Sequence, residues 1–430
     1  MTAPKTEHTT RAYSKHQPNW QRFQSDLVIP SSNVGGDKNA APNVYQRQYS
    51  HVYHQRLAAL GPRCWETMLP SDVVQVKRIL ELKEGEPSLV VGTLVRETTN
   101  TKEPTLHPDS ECRKSDALYL EDESGRVVLE VPEKHSYCTG LVVGLRGTVQ
   151  MDGVMLVEEV YAPAMSPPTR METTPLETQA VPHLLLVSGL LCGGSNVSSL
   201  PRDMLLSFLQ GRFGVEKAAL ISQVVVAGGL VRADDKVSQA DALRDLDGFL
   251  LQVSAAGIPV DVIPGQNDPT TANWPQRPLH SALLPRSSAS SNLVRRTPNP
   301  YAAVHNDHLV MGADGRNVAD LTRRLLKQEE NDNAWVPLSE LEALQRSLKW
   351  SHICPTGPDS IPTVPHAESD PMCMTQAPSV YFCGNAHAFD TAISNGTRLV
   401  CVPKFATTGQ AILVNLENLD VEILSFDAQI

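Results

Sequence analysis

The sequence predicts a chain that is part all-β and part α/β: a small closed β-barrel followed by a larger α/β sandwich. Short strands of alternating polarity, separated by tight-turn residues, fill residues 72 to 162. From His183 onward, apolar strands alternate with helical stretches. Between the two lies a proline- and threonine-rich stretch, PAMSPPTRMETTPLETQAVP.

In chain order, residues 1–40 are polar and without period, which predicts a disordered tail. Residues 41–71 hold a helix, because Tyr45, Tyr49, Val52, Tyr53, Leu57 and Leu60 recur at helical spacing. Its tyrosines are expected to dock it on the body. Arg47 and Arg56 are the bases on it that a nucleic acid could meet.

Residues 72–165 read as an OB-fold domain. Ser88 to Val95 forms one strand. Asp116 to Glu121 and Arg126 to Val131 form a hairpin around Gly125. Leu141 to Gln150 and Val154 to Tyr161 form another, joined at Asp152-Gly153, a pair suited to the positive φ of a type I′ turn. Five short strands in such a span fit this small barrel. OB barrels that bind single strands use aromatic platforms on a basic face. Here the strands offer Tyr119 and Tyr161, and acids outnumber bases, so a structural or protein-contact barrel is expected.

Residues 166–182 read as a linker and 183–430 as the α/β domain. Strands are expected at His183–Ser188, Ile221–Ala227, Val260–Ile263 and Tyr381–Cys383, with a terminal run of strands from Thr397 to Phe426. Helices are expected near Pro201–Gly211, Ser238–Ala255, Asn317–Lys327 and Pro337–Leu348. Sites in such sheets form at the carboxyl ends of the strands. The loops to read therefore follow Ser188, Ala227, Ile263 and Cys383.

Composition narrows the function. Apolar residues make up 41% of the 430, enough for a sizeable core, and the formal net charge is −11. That balance speaks against a protein that grips nucleic acid unaided, since phosphate neutralisation drives such binding. None of the eight cysteines is spaced as C-x-x-C, which removes the usual support for a zinc finger and suggests a reducing compartment. The longest apolar run, near His183, is too short and glycine-broken to span a bilayer.

The informative loops are Val187-Ser-Gly-Leu-Leu-Cys-Gly193, Val226-Ala-Gly-Gly-Leu-Val-Arg232, Pro264-Gly-Gln-Asn-Asp268, Ser351-His-Ile-Cys-Pro355 and Cys383-Gly-Asn-Ala-His387. Neither a phosphate-cradling loop nor a nucleophile elbow is among them. Their series resembles the metallophosphoesterase (calcineurin-like) domain, with its order Asp-x-His, Gly-Asp-x-x-Asp, Gly-Asn-His-Asp/Glu, His, Gly-His-x-His. That family holds two metals whose bridging hydroxide attacks a phosphoester. Carried over position by position, the first Asp and His become Gly189 and Leu191. The bridging Asp becomes Gly229 and the next Asp becomes Arg232. The ligand Asn becomes Gln266, the catalytic His becomes Asn267, and Asp268 is kept. His352 is kept, the first His of the last loop becomes Asn385, and His387 is kept. No carboxylate stands where a bridging ligand is needed, and hard cations require such donors. The resemblance therefore implies a metallophosphoesterase-like scaffold with a degenerate centre, no cofactor and no catalysis. His352 and His387 then read as core or pocket histidines. An enzyme reading would call on His352, His387, Asp268 and Asp390.

A barrel followed by such a scaffold is similar to the B-subunits of replicative DNA polymerases. The likeness sharpens at Gly265-Gln-Asn-Asp-Pro-Thr270, Pro275-Gln-Arg-Pro-Leu-His280, Asn299-Pro-Tyr301, Gly312-Ala-Asp-Gly-Arg-Asn-Val318, His352 to Asp359, Asp370-Pro371, Val380 to Asn385 and Leu413 to Leu416. It covers about residues 43 to 428 and points to the delta branch more than to alpha or epsilon. The resemblance implies a nuclear scaffold for DNA replication and repair synthesis. It would join the cysteine-rich C-terminal domain of the delta catalytic subunit to a third accessory subunit, meeting DNA only within the holoenzyme and no membrane. Trp274, Leu279 and Leu283, in a proline-stiffened strip, are candidate partner contacts.

Overall fold

The computed structural model describes residues 48–69, 71–169, 181–290, 292–329, 334–365 and 369–426. The expected tail, Tyr45, Arg47 and most of the linker lie outside these residues. Among the described residues no helix is long and apolar enough to cross a membrane.

Helix α1 (Ser50–Met68) is followed by β1 (Val74–Gln75), β2 (Pro87–Glu97), β3 (Ala117–Glu121), β4 (Arg126–Glu130), β5 (Val142–Val149) and β6 (Val154–Tyr161). The strands run in the order β1-β2-β3-β4-β6-β5, and β5 returns to pair with β2, which closes a barrel. Alternation sets the register. Leu94, Leu118, Leu120, Leu129, Val143 and Met155 fill the interior. On the opposite face of β2 and β5, Leu89, Val91 and Val142 meet Leu60, Cys64 and Met68 of α1. Gly153 turns the β5–β6 hairpin at φ +81°, as the Asp-Gly pair predicts.

Helix α1 differs from its expectation. It starts at Ser50 and runs through Gly61-Pro62 for a further six residues beyond the proline. Tertiary contacts override the breakers. Arg63 donates from Nε to Ala164 O (2.6 Å), from Nη1 to Met374 O (2.7 Å) and from Nη2 to Ser351 Oγ (2.9 Å). Of the expected tyrosines, Tyr49 is 46% exposed and Tyr53 is half-buried beneath Arg56, whereas Leu60, Cys64 and Arg56 are buried.

The α/β part comprises β7 (His183–Val187), α2 (Leu200–Leu209), α3 (Val215–Leu220), β8 (Ile221–Ala227), α4 (Gln239–Ala255), β9 (Val260–Ile263), α5 (Pro285–Ser290) and β10 (Val294–Arg296). Next come β11 (Tyr301–His305), β12 (His308–Ala313), α6 (Arg316–Arg324), β13 (Leu326–Gln328), β14 (Trp335–Pro337) and α7 (Glu340–Lys349). The last elements are β15 (Val380–Ala386), β16 (Asp390–Ser394), β17 (Thr397–Pro403), α8 (Phe405–Thr408), β18 (Gln410–Asn415) and β19 (Val421–Ser425). One sheet has the order β10-β9-β8-β7-β18-β19 and the other β11-β12-β15-β17-β16. Both are mixed: the first is parallel from β10 to β7 and antiparallel at β18 and β19, and the second has a parallel centre with antiparallel edges.

Packing follows from the period-2 rule. Leu184, Leu186, Val225, Ile263, Val310, Phe382, Val400 and Ile412 point between the sheets and form one core. Their neighbours Leu185, Val187, Val224 and Val226 point the other way, onto α2 and α4. Met311, Tyr381, Cys383 and Leu399 face α6 and α7, and their core is continuous with the barrel interior.

Two polar joints tie the barrel to the sandwich. Buried Arg56 donates from Nε to Asp370 Oδ2 (2.9 Å), from Nη1 to Gly140 O (2.9 Å) and Pro355 O (2.7 Å), and from Nη2 to Gly357 O (2.8 Å). This corrects its reading as a base available to nucleic acid. Gly140, at φ +89°, is required there: a Cβ would lie 2.1 Å from Pro355 O and 2.6 Å from Arg56 Nη1. At the second joint, the last carbonyls of α6 accept from the barrel. Arg323 O takes Glu111 N (2.9 Å) and Ser110 Oγ (3.1 Å), and Arg324 O takes Arg96 Nη1 (2.8 Å).

Arg56→Ala leaves Asp370 as an uncompensated buried charge, and a loss of about 3–5 kcal/mol in urea unfolding is expected. Acid should also destabilise the chain. Burial, with the Arg295 charge, holds His305 down to about 3. Burial, with the Arg56 charge, holds His352 down to about 4. Unfolded histidine takes up its proton near pH 6.5 and these native ones do not, so stability falls as pH drops through that window. Between pH 7 and pH 5 each should cost about 2 kcal/mol, read as the shift in urea midpoint.

Candidate functional site

The loops at the carboxyl ends of β7, β8, β9 and β15 converge, as the sheet order requires. Gly189 and Gly229 take left-handed conformations at φ +63° and +58°, and Leu191 does so at +47°. Gly189 N donates to Gly228 O and Leu191 N to Gly229 O, both at 2.9 Å, so the first two loops are zipped together.

Asn385 fills the space between them. Its Nδ2 donates to Ala227 O (3.2 Å) and Asp314 O (3.0 Å). A Cβ built on Gly189 would lie 2.8 Å from Asn385 Oδ1, and one on Gly229 would lie 2.7 Å from it. The glycines at these positions therefore make room for the amide.

Two acids remain nearby, and both are engaged by the protein. Asp268 is buried and accepts from Leu230 N (2.9 and 3.2 Å), Val231 N (3.1 Å) and Gly265 N (2.7 Å). Burial pushes its carboxyl up to about 6, against the pull of these donors and with the Asp314 charge adding to the rise. Asp314 accepts from Gln266 N (3.0 Å) and Asn299 Nδ2 (2.9 Å), and burial raises it too. Asn299 also donates to Gln276 Oε1 (2.7 Å), and Gln276 Nε2 donates to Gly265 O (3.2 Å). Asp314, Asn299 and Gln276 were not singled out in the sequence. They sit inside recognisable stretches, but a lone Asp or amide carries no spacing signal.

The other expected residues lie apart from this centre. Arg232, Gln266 and Asn267 are exposed, with Gln266 reaching the network by its backbone alone. His352 is at the barrel joint: its Nδ1 accepts from Cys354 N (3.1 Å), so Nε2 carries the proton and donates to Asp370 (2.9 Å). His387 is exposed and its Nδ1 lies 2.8 Å from Glu340 Oε1. The enzyme set His352, His387, Asp268 and Asp390 is thus divided among separate surroundings, with Asp390 exposed on β16. Trp274 and Leu279 are buried in the chain's own core, and Leu283 is partly buried against it, so this strip offers little contact surface.

These residues do not fit a two-metal centre. Among the described residues, two clusters of His, Cys and acid could reach a common ion, and neither is here. In Cys112–Asp116–His135, Arg96 Nη1 donates to Cys112 Sγ (2.8 Å), and Asp116 accepts from Thr98 Oγ1 and Arg113 N, each at 2.9 Å. In His352–Asp370–Cys373, Arg56 and His352 both donate to Asp370 Oδ2.

If Asn385 is the space-filling group, Gly229→Ala should destabilise by about 2 kcal/mol, from left-handed strain plus the clash. Paired with Asn385→Gly, its cost should fall below the sum of the two single changes in a denaturation double-mutant cycle. Simple additivity would show that the amide is not in the way.

Comparison with known proteins agrees with this architecture. Residues 48–160 match the model of the DNA polymerase delta subunit OB-fold domain, and residues 184–391 match that of the DNA polymerase alpha/epsilon B-subunit. The DNA polymerase delta small subunit of Arabidopsis thaliana is 32% identical over 426 residues, spanning 89% of this chain and 92% of that one. DNA polymerase delta subunit 2 of Drosophila melanogaster is 30% identical over 428 residues, 89% of this chain and 94% of that one. The Saccharomyces cerevisiae small subunit is 26% identical over 443 residues, 89% and 90% of the two chains. The chain belongs to the family of DNA polymerase delta small subunits.

Proposed function

We propose that the chain is a non-catalytic scaffold of DNA polymerase delta. It joins the cysteine-rich C-terminal domain of the catalytic subunit to a third accessory subunit, works in the nucleus during replication and repair synthesis, and meets DNA only through the holoenzyme. One observation carries the non-catalytic reading: the place where a phosphoesterase would hold its cations is filled by the Asn385 amide between Gly189 and Gly229. A bridging hydroxide needs open space and oxygen ligands, and here the acids are taken up by backbone N–H groups.

The degenerate centre still has a use in this reading. Its hydrogen bonds fix four loops of the sandwich, so the surface around them is rigid, and a rigid surface loses less entropy on docking. The membership of the family and the net charge of −11 support a protein-binding rather than a nucleic-acid-gripping role.

Two measurements test it. The purified chain with Mn²⁺ should give no hydrolysis of bis(p-nitrophenyl) phosphate above a chain-free blank. In the same cells it should co-purify with the delta catalytic subunit in near-equal amounts. Metal-dependent turnover that survives gel filtration would overturn the non-catalytic reading, and absence of the catalytic subunit would overturn the scaffold.

A further inference from the structure

The barrel has one covered wall and one open wall. Helix α1 packs on β2 and β5. Across the open wall the outward residues fall into register: Val95 opposes Tyr119, Tyr119 opposes Val128, and Val128 opposes Val154. Leu156, two residues along β6 on the same face, extends the row. Four adjacent strands thus carry a continuous apolar stripe roughly 14 Å across, from three inter-strand spacings of about 4.8 Å. Val128 is 36% exposed and Leu156 44%. Both lie outside the barrel interior, and outward positions of a solvated sheet face are ordinarily polar.

The border of the stripe indicates its occupant. Glu97, Glu121 and Glu130 stand on the same outward faces of β2, β3 and β4, and Glu158 follows Leu156 at the bulge of β6. Glu97 is paired with Arg126 and Glu158 with Arg146, while Glu121 and Glu130 are exposed and make no ion pair among the described residues. Arg126 also lies over the Tyr119 ring, 4.8 Å from its centroid, and so is held within the wall. An acid-bordered surface repels phosphates, which argues against a single strand of nucleic acid. It also argues against a second copy of this chain, because a two-fold contact would set the same acids against one another.

We propose that this stripe docks a polypeptide segment of a partner subunit, one presenting apolar side chains flanked by lysine or arginine. The proposal rests on the scaffold reading and adds the place and the chemistry of one contact. Tyr119 and Val128 form its centre, and the glutamates select the charge of the flanks.

The test uses the full chain in the polymerase assembly. With p-benzoylphenylalanine in place of Val128, irradiation should attach the chain to another subunit, within a segment of that composition. A control probe in place of Ile423, on the far sheet, should not label the same segment. The Val128→Lys, Leu156→Lys pair should weaken assembly by at least about tenfold. The corresponding Glu pair should weaken it less, since Glu removes apolar contact but keeps the charge match. Unchanged melting temperatures will show that both variants fold. An adduct to DNA, no adduct at all, or equal affinity of the Lys pair and the native chain would each overturn the proposal. If the native chain itself fails to assemble, the scaffold reading falls as well, and the two failures are thereby told apart.

Discussion

A single buried guanidinium decides how the parts of this chain are joined. Arg56 comes from the first helix, one of its carbonyl partners from the barrel, and the others, with Asp370, from the sandwich. A buried ion pair is weak evidence of stability when it stands alone, because desolvation offsets the attraction. This one is saturated: Nε, Nη1 and Nη2 all have acceptors, and Asp370 also receives His352 Nε2 and Met372 N. Burial pushes the Asp370 carboxyl up, but Arg56 and then His352 outweigh it and hold the group well below the ordinary range. Misplacing any one of the three segments would strand a charge. The joint therefore specifies one arrangement of helix, barrel and sandwich, beyond whatever it adds to stability.

The loop centre around Asn385 obeys the same rule on buried charge. Clustered carboxylates without cations repel one another and bear a desolvation cost. Buried acids must therefore be few, or be satisfied by the chain's own donors. Both occur here. Glycines stand at positions 189 and 229, and a neutral amide fills the space beside them. The surviving acids have become acceptors for loop backbone and amide groups: Asp268 gathers the β8 and β9 loops, and Asp314 gathers Gln266 and Asn299. A carboxylate introduced at Gly189 or Gly229 would meet both positive φ and Asn385.

Much of this fold was legible because local rules and tertiary structure agree in it. Alternating strands, the Asp152-Gly153 turn and the apolar runs of β7 and β8 are short-range signals, and each lies where the pattern puts it. Ser238 caps α4 by accepting from Asp241 N, and Ser339 and Glu342 form a capping box at α7. What stayed illegible depends on long sequence separation. Arg56 and Asp370 are 314 residues apart, and nothing near either marks the partner. The continuation of α1 through Pro62 is likewise set by distant acceptors of Arg63. The loops after β7 and β8 were legible as local glycine turns, and Gly189 and Gly229 take positive φ there. The places of His352 and His387 were not, because their motif positions survive while their side chains serve the barrel joint and Glu340.

These observations bear on how a folded surface is made ready for binding. Recognition by a scaffold gains from surfaces that are already in place, since ordering a loop at the moment of binding reduces affinity. In this chain the barrel interior and the helix-facing side of the second sheet form one apolar core, and the two polar joints close its borders. The glycine-lined loops are held by Asn385, Asp268 and Asp314. The glycines that admit the Asn385 amide and the acids that bind loop backbone therefore stiffen the same surface. A phosphoesterase site must leave room for substrate and water, whereas a platform gains by filling that room.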